Sequence, residues 1–102
     1  MKLKTFLDRT AQSPKEKAFV QGLIDAGIPD VDALCNFNPP FVVLLPGMSA
    51  EKLPMLEELL LREGLYVEMS VDELQLAGLR VLQVDEINRL LGNPKTFDVT
   101  GQ

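Results

Sequence analysis

The sequence predicts a small α/β (or α+β) domain: a three- to four-stranded sheet built on a β-α-β unit, with an N-terminal helical segment packed on it. Three observations carry that expectation. Five consecutive apolar residues, Phe41-Val-Val-Leu-Leu45, lie between prolines and read as a strand covered on both faces. The leucine-rich stretch that follows has helical spacing and stops at Gly64. Leu65 to Met69 then alternates apolar and polar residues, the pattern of a wetter strand. If these two strands are parallel, the helix between them makes a right-handed crossover.

The first 37 residues read as helices. Leu3, Phe6 and Leu7 share one face of a short helix. Ser13, Pro14 and Glu16 form the clearest start signal in the chain: an N-cap, a first-turn proline and the far half of a capping box. Phe19, Val20, Leu23 and Ile24 make the buried stripe of that helix, and Gly27 with Pro29 ends it. Asp30 caps a further short helix over Val31 to Phe37, which buries Leu34 and Cys35. Asn38-Pro-Pro should then force an extended entry into Phe41.

In the remainder, Pro46-Gly47-Met48 turns the chain and Ser49 caps the long helix. Pro54 is awkward inside a helix that begins at Ser49. Either a separate 3₁₀ turn precedes a helix starting near Pro54, or the helix kinks there. Leu53, Leu56 and Leu60, widened by Met55 and Leu59, span an apolar arc of roughly 160°. Leu61 falls outside that arc, beside Glu57. Ser70 and Glu73 form a second capping box, so residues 71–77 read as a helix stopped by Gly78, or else as a loop. Leu79 to Val84 is a third strand, and Asp85 caps a last helix carrying Ile87, Leu90 and Leu91. Thr96 to Thr100 is an edge strand or a tail. With a loop at 71–77 and a strand at 96–100, the order becomes β-α-β-β-α-β, a ferredoxin-like arrangement.

Composition bounds the function. One hundred and two residues make a single domain, 1–102, divided into a helical segment (1–37) and a sheet-containing core (38–102). There is no histidine, which removes Ser-His-Asp and Cys-His nucleophile systems and helical His-Glu-x-x-His zinc sites. No apolar run reaches the roughly 18 residues of a membrane helix, and a single cysteine agrees with a reducing compartment, so a cytoplasmic location is expected. The net charge of −5 is uneven. Residues 1–17 carry five basic and two acidic side chains, and the remainder five basic and thirteen acidic. So acidic a body disfavours duplex nucleic acid. A lone tyrosine and no tryptophan leave little for single-strand stacking.

Two candidate sites follow. The apolar surplus of the long helix, with Leu61, Leu74 and Leu76, exceeds what a thin sheet covers, and exposed leucine patches mark association surfaces. We therefore expect a non-enzymatic interaction module without cofactor or metal. It would serve as an adaptor, assembly factor or inhibitor, like the small acidic proteins that viruses and bacterial accessory systems use against larger machines. Its partner would be another protein or a second copy, met through Glu57, Glu58, Leu61, Leu74 and Leu76. An acidic body competing for a basic nucleic-acid groove is a sub-case. The alternative is an anion or small-ligand site in which Gly47, Met48 and Ser49 offer donors where a strand feeds a helix. The acid pairs Asp30/Asp32, Glu57/Glu58, Asp72/Glu73 and Asp85/Glu86 read as helix-end carboxylates rather than a catalytic dyad. Cys35 reads as core filler.

Overall fold

The computed structural model describes residues 1–92, and among them there is no strand and no sheet. The elements are α1 (Leu3–Thr10), α2 (Pro14–Asp25), α3 (Val31–Cys35), α4 (Pro39–Val42), a 3₁₀ turn (Ala50–Lys52), α5 (Leu53–Leu61), α6 (Val71–Leu76) and α7 (Val84–Leu90). The only β-type pairing among these residues is an isolated antiparallel bridge between Lys2 and Asp30. The α/β expectation is therefore overturned, and with it the sheet-containing core assigned to 38–102. The ferredoxin-like alternative goes too, because residues 71–76 are helical and the described residues hold no sheet for it. The proposed edge strand at 96–100 lies outside the described residues.

Each expected strand fails for a specific reason. Around Phe41, Asn38 has extended backbone and its side chain accepts from the Phe41 N–H at 3.3 Å. The two prolines then occupy the first positions of a one-turn helix, where a missing N–H costs nothing. Val42 and Leu45 are buried while Phe41 and Leu44 are exposed, a helical three-residue spacing rather than two covered faces.

Leu65 and Leu79 begin the other two expected strands, and both are products of helix endings. Gly64 (φ 71°) and Gly78 (φ 76°) adopt the left-handed backbone that other residues avoid. Behind them the Leu65 N–H donates to the Leu60 carbonyl at 2.9 Å and the Leu79 N–H to the Leu74 carbonyl at 2.8 Å. These are Schellman bonds, which reverse the chain and return an apolar residue to the core. Ile28, after Gly27, bonds the Leu23 carbonyl in the same way at 3.1 Å.

The segments beyond these turns form no strand, Glu68 itself taking a positive φ of 60°, and their backbone groups bond to the end of α3 and the residues just after it. Glu68 and Met69 N–H groups donate to the Phe37 and Cys35 carbonyls at 2.8 and 3.0 Å. Asn36 acts toward residues 80–82 as a peptide unit would: its Nδ2 donates to the Arg80 carbonyl (3.1 Å) and its Oδ1 accepts from the Leu82 N–H (3.0 Å). Asp32 Oδ2 accepts the Arg80 N–H at 2.8 Å. Backbone groups that would otherwise be orphaned are satisfied without a ladder.

All five residues of α3 are buried, Asp32 included. Burial pushes the Asp32 carboxyl up. The Met1 ammonium at 2.8 Å and the Arg80 N–H outweigh that, and the group is held below its ordinary range. Around α3 the core gathers Phe6, Phe19, Val20, Leu23, Val42, Leu45, Leu56, Leu59, Leu60 and Leu74. Pro54 resolves as a 3₁₀ turn followed by a helix with proline in its first turn. The capping boxes at Ser13/Glu16 and Ser70/Glu73 both form.

Candidate functional site

The outer face of α5 is set by its inner one. Leu56, Leu59 and Leu60 are buried, Leu53 and Met55 are half-buried at the flanks, and Glu57 and Leu61 are left facing outward one turn apart. Leu61 is 71% exposed. A helical core therefore absorbs most of the leucine surplus around residue 56, and Leu61 is the part that remains. Glu58, also exposed, is not free. Its Oε2 accepts from Arg62 Nη2 at 2.7 Å.

Arg62 is a structural hub with no local signal in the sequence. Its guanidinium donates to the Thr10 carbonyl (2.8 Å) and to both oxygens of Glu16 (2.9 and 3.1 Å), joining the end of α5 to the corner between α1 and α2. The Arg62 hydrogen bonds, then those from the Gln12 and Ser13 N–H groups, hold Glu16 down at about 2. Arg9 pairs with Glu63 at 2.9 Å beside this junction.

The structure separates the two α6 leucines. Leu74 is buried at 2% exposure and belongs to the core, so it leaves the predicted contact set. Leu76 is 89% exposed, the highest value among the large apolar residues described. Asp72, one turn before it, shares its face. Glu73 is turned back to the capping box and to the Tyr66 hydroxyl. The pattern at α5 thus recurs at α6: an exposed leucine four residues after an exposed carboxylate.

The Gly47–Ser49 corner is built for packing. A side chain on Gly47 (φ 83°) would meet Leu23 Cδ2 at 3.1 Å and the Gly22 carbonyl at 3.2 Å, because the turn lies against α2. The Met48 N–H already donates to the Leu45 carbonyl at 3.0 Å. The Ser49 hydroxyl makes no capping bond, and a three-residue 3₁₀ turn follows instead of a helix N-terminus.

Of the acid pairs, Asp30 and Glu86 converge on Arg80. Asp30 Oδ2 accepts from Nε at 2.9 Å and Glu86 Oε2 from Nη2 at 2.6 Å. Asp30 Oδ1 also caps α3 through the Ala33 N–H at 3.0 Å. These carboxylates are neutralised in place by one guanidinium, a structural use. Cys35 is fully buried, and burial pushes its thiol up to about 12.

Grooves open on the surface of the described residues. One of about 410 Å³ is lined by Ala26, Pro29, Pro46, Glu86, Arg89 and Leu90. Another, about 270 Å³, lies between α2 and the start of α5, lined by Lys15, Ala18, Phe19, Lys52 and Met55. Nothing in the sequence pairs Lys15 with Lys52, which come together only through the tertiary fold. No helix among the described residues is long and apolar enough to cross a membrane. No protein family, curated protein or solved structure matches the chain.

Proposed function

We propose that the protein is a small acidic, non-enzymatic interaction module, an adaptor, assembly factor or inhibitor. It binds through leucines set beside carboxylates on the outer faces of α5 (Glu57, Leu61) and α6 (Asp72, Leu76). The observation that carries this reading is the exposure of Leu61 and Leu76, at 71% and 89%, in a fold that hides nearly every other leucine of α5 and α6. Burying one such side chain in a partner's pocket stabilises a complex by about 1.5–3 kcal/mol. The adjacent carboxylates select partners with a basic rim. The engaged Met48 N–H and the tight fit of Gly47 against α2 favour a packing role for the Gly47–Ser49 turn over the anion-binding alternative.

The test compares the wild-type chain with Leu61→Glu/Leu76→Glu as baits in quantitative affinity capture from native lysate. Both positions are exposed, so the variant should keep its helical signal and melting temperature. The wild type should hold a partner, or further copies of itself, that the variant releases. Identical captures by the two baits would refute the proposal.

A further inference from the structure

We propose that the Leu76 face of one molecule seats in the α2–α5 groove of a second copy of this chain. This rests on the reading of Leu76 as a contact residue and adds what it contacts. Lys15, Ala18 and Phe19 stand on one face of α2, and Lys52 and Met55 form the opposite wall. Phe19 and Met55 give the groove an apolar floor, and its 270 Å³ accommodates a leucine side chain.

The rim is cationic on a chain whose net charge is −5. Among the described residues, neither Lys15 nor Lys52 is in an ion pair. The Lys52 ammonium reaches only the Gly47 carbonyl, at 3.4 Å. Glu51, in the 3₁₀ turn that leads into α5, stands next to Lys52 in the chain but is not among the residues that line the groove. The first turns of α6 and α7 carry Asp72 with Glu73 and Asp85 with Glu86.

The α6 face is the complement. Val71, Asp72, Gln75 and Leu76 are all exposed and fall within one outward arc of the helix. Leu76 supplies a knob for the floor and Asp72 a carboxylate for the rim, which places an opposite charge beside an apolar insertion. Groove and knob are different patches of the chain, so the contact is heterologous: each added molecule presents a free groove at one end and a free knob at the other.

That asymmetry yields a decisive experiment. Sedimentation velocity is run on the wild type, Lys15→Glu/Lys52→Glu and Leu76→Glu from micromolar to millimolar concentration. Circular dichroism confirms that each folds, as the exposure of all three side chains predicts. The wild type should grow in mass with concentration, and each variant should stay monomeric, its association weakened by roughly tenfold or more. Mixed in equal amounts, the two variants should form a one-to-one dimer and nothing larger, because one intact groove meets one intact knob. A wild type monomeric at millimolar concentration overturns the proposal. So does a mixture that stays monomeric, or a groove variant that associates like the wild type. If the wild type is monomeric but Leu61→Glu/Leu76→Glu still releases a foreign protein in capture, self-association fails while the interaction module stands.

Discussion

Replacing Asn36 by alanine removes the side chain that α3 offers to residues 80–82 in place of a neighbouring strand. Three hydrogen bonds go with it: Nδ2 to the Asp32 carbonyl (2.7 Å), Nδ2 to the Arg80 carbonyl (3.1 Å), and the Leu82 N–H to Oδ1 (3.0 Å). Each contributes about 0.5–1.5 kcal/mol net. The Arg80 carbonyl is exposed and regains water, whereas the Leu82 N–H is partly buried and recovers less. The sum is about 2–3 kcal/mol, a large share of the roughly 5–15 kcal/mol available to a domain of this size. With a urea slope of about 1 kcal/mol/M, the unfolding midpoint should fall by about 2–3 M. Amide exchange localises the effect: Leu82 should lose protection beyond the global change, and Leu60, inside α5, should not. Asn36→Asp keeps an acceptor for Leu82 but turns oxygen toward two carbonyls, so it should rescue little at neutral pH. A loss under about 0.5 kcal/mol, or Leu82 exchanging no faster than Leu60 relative to wild type, would refute the idea that α3 side chains stand in for a sheet.

Three further predictions follow from the same contacts. Glu16 is held at about 2 in the folded protein against an ordinary 4.5, so its contribution to stability is complete above pH 4.5 and is lost as pH falls toward 2. In urea titrations the gap between wild type and Glu16→Gln should therefore close across that window, and a gap independent of pH would contradict the Arg62–Glu16 assignment. Leu74→Ala should cost about 2–5 kcal/mol as a core truncation, whereas Leu76→Ala should stay within about 0.5 kcal/mol; equal costs would mean that the inner and outer faces of α6 are misassigned. The Cys35 thiol, pushed up to about 12 by burial, should resist a thiol-reactive disulfide reagent at pH 8 in the native state and react once the chain is unfolded in urea. Rapid native labelling would contradict its burial.

What the sequence made legible was local. Ser13 with Glu16, Ser70 with Glu73, and the glycines at 27, 64 and 78 mark helix ends because each signal and its partner lie within a few residues. The α5 arc, and Leu61 outside it, could be counted on a helical wheel. The alternation at Leu65, Val67 and Met69 gave the burial but not the strand: Leu65 and Met69 are buried while Tyr66 and Glu68 are exposed, yet Glu68 has a positive φ of 60° and the segment bends. What alternation cannot report is the partner, and here the partner is the end of a helix. Asn36 and Asp32 meet the backbone of residues 80–82 from more than forty positions away, and no neighbouring residue advertises that. At Asn38-Pro-Pro the signal was present but two-sided, since the motif that favours an extended approach also caps a helix whose first turn tolerates proline. Of the expected contact residues, Glu57, Leu61 and Leu76 lie exposed on the outer faces of their helices, and Leu74 does not. Leu74 was lost because a six-residue helix buries one leucine and exposes its neighbour two positions on. Lys15 and Lys52 escaped for the same reason as Asn36.

The most direct measurement is site-specific photocrosslinking, with p-benzoylphenylalanine placed at position 61, at position 76, or at the exposed control position Lys4. If the leucine faces of α5 and α6 are what the protein binds with, positions 61 and 76 should each give discrete adducts with a protein or a second copy, and position 4 should give none. Adducts that are the same from all three positions, or absent from 61 and 76, would contradict a docking role for these helices.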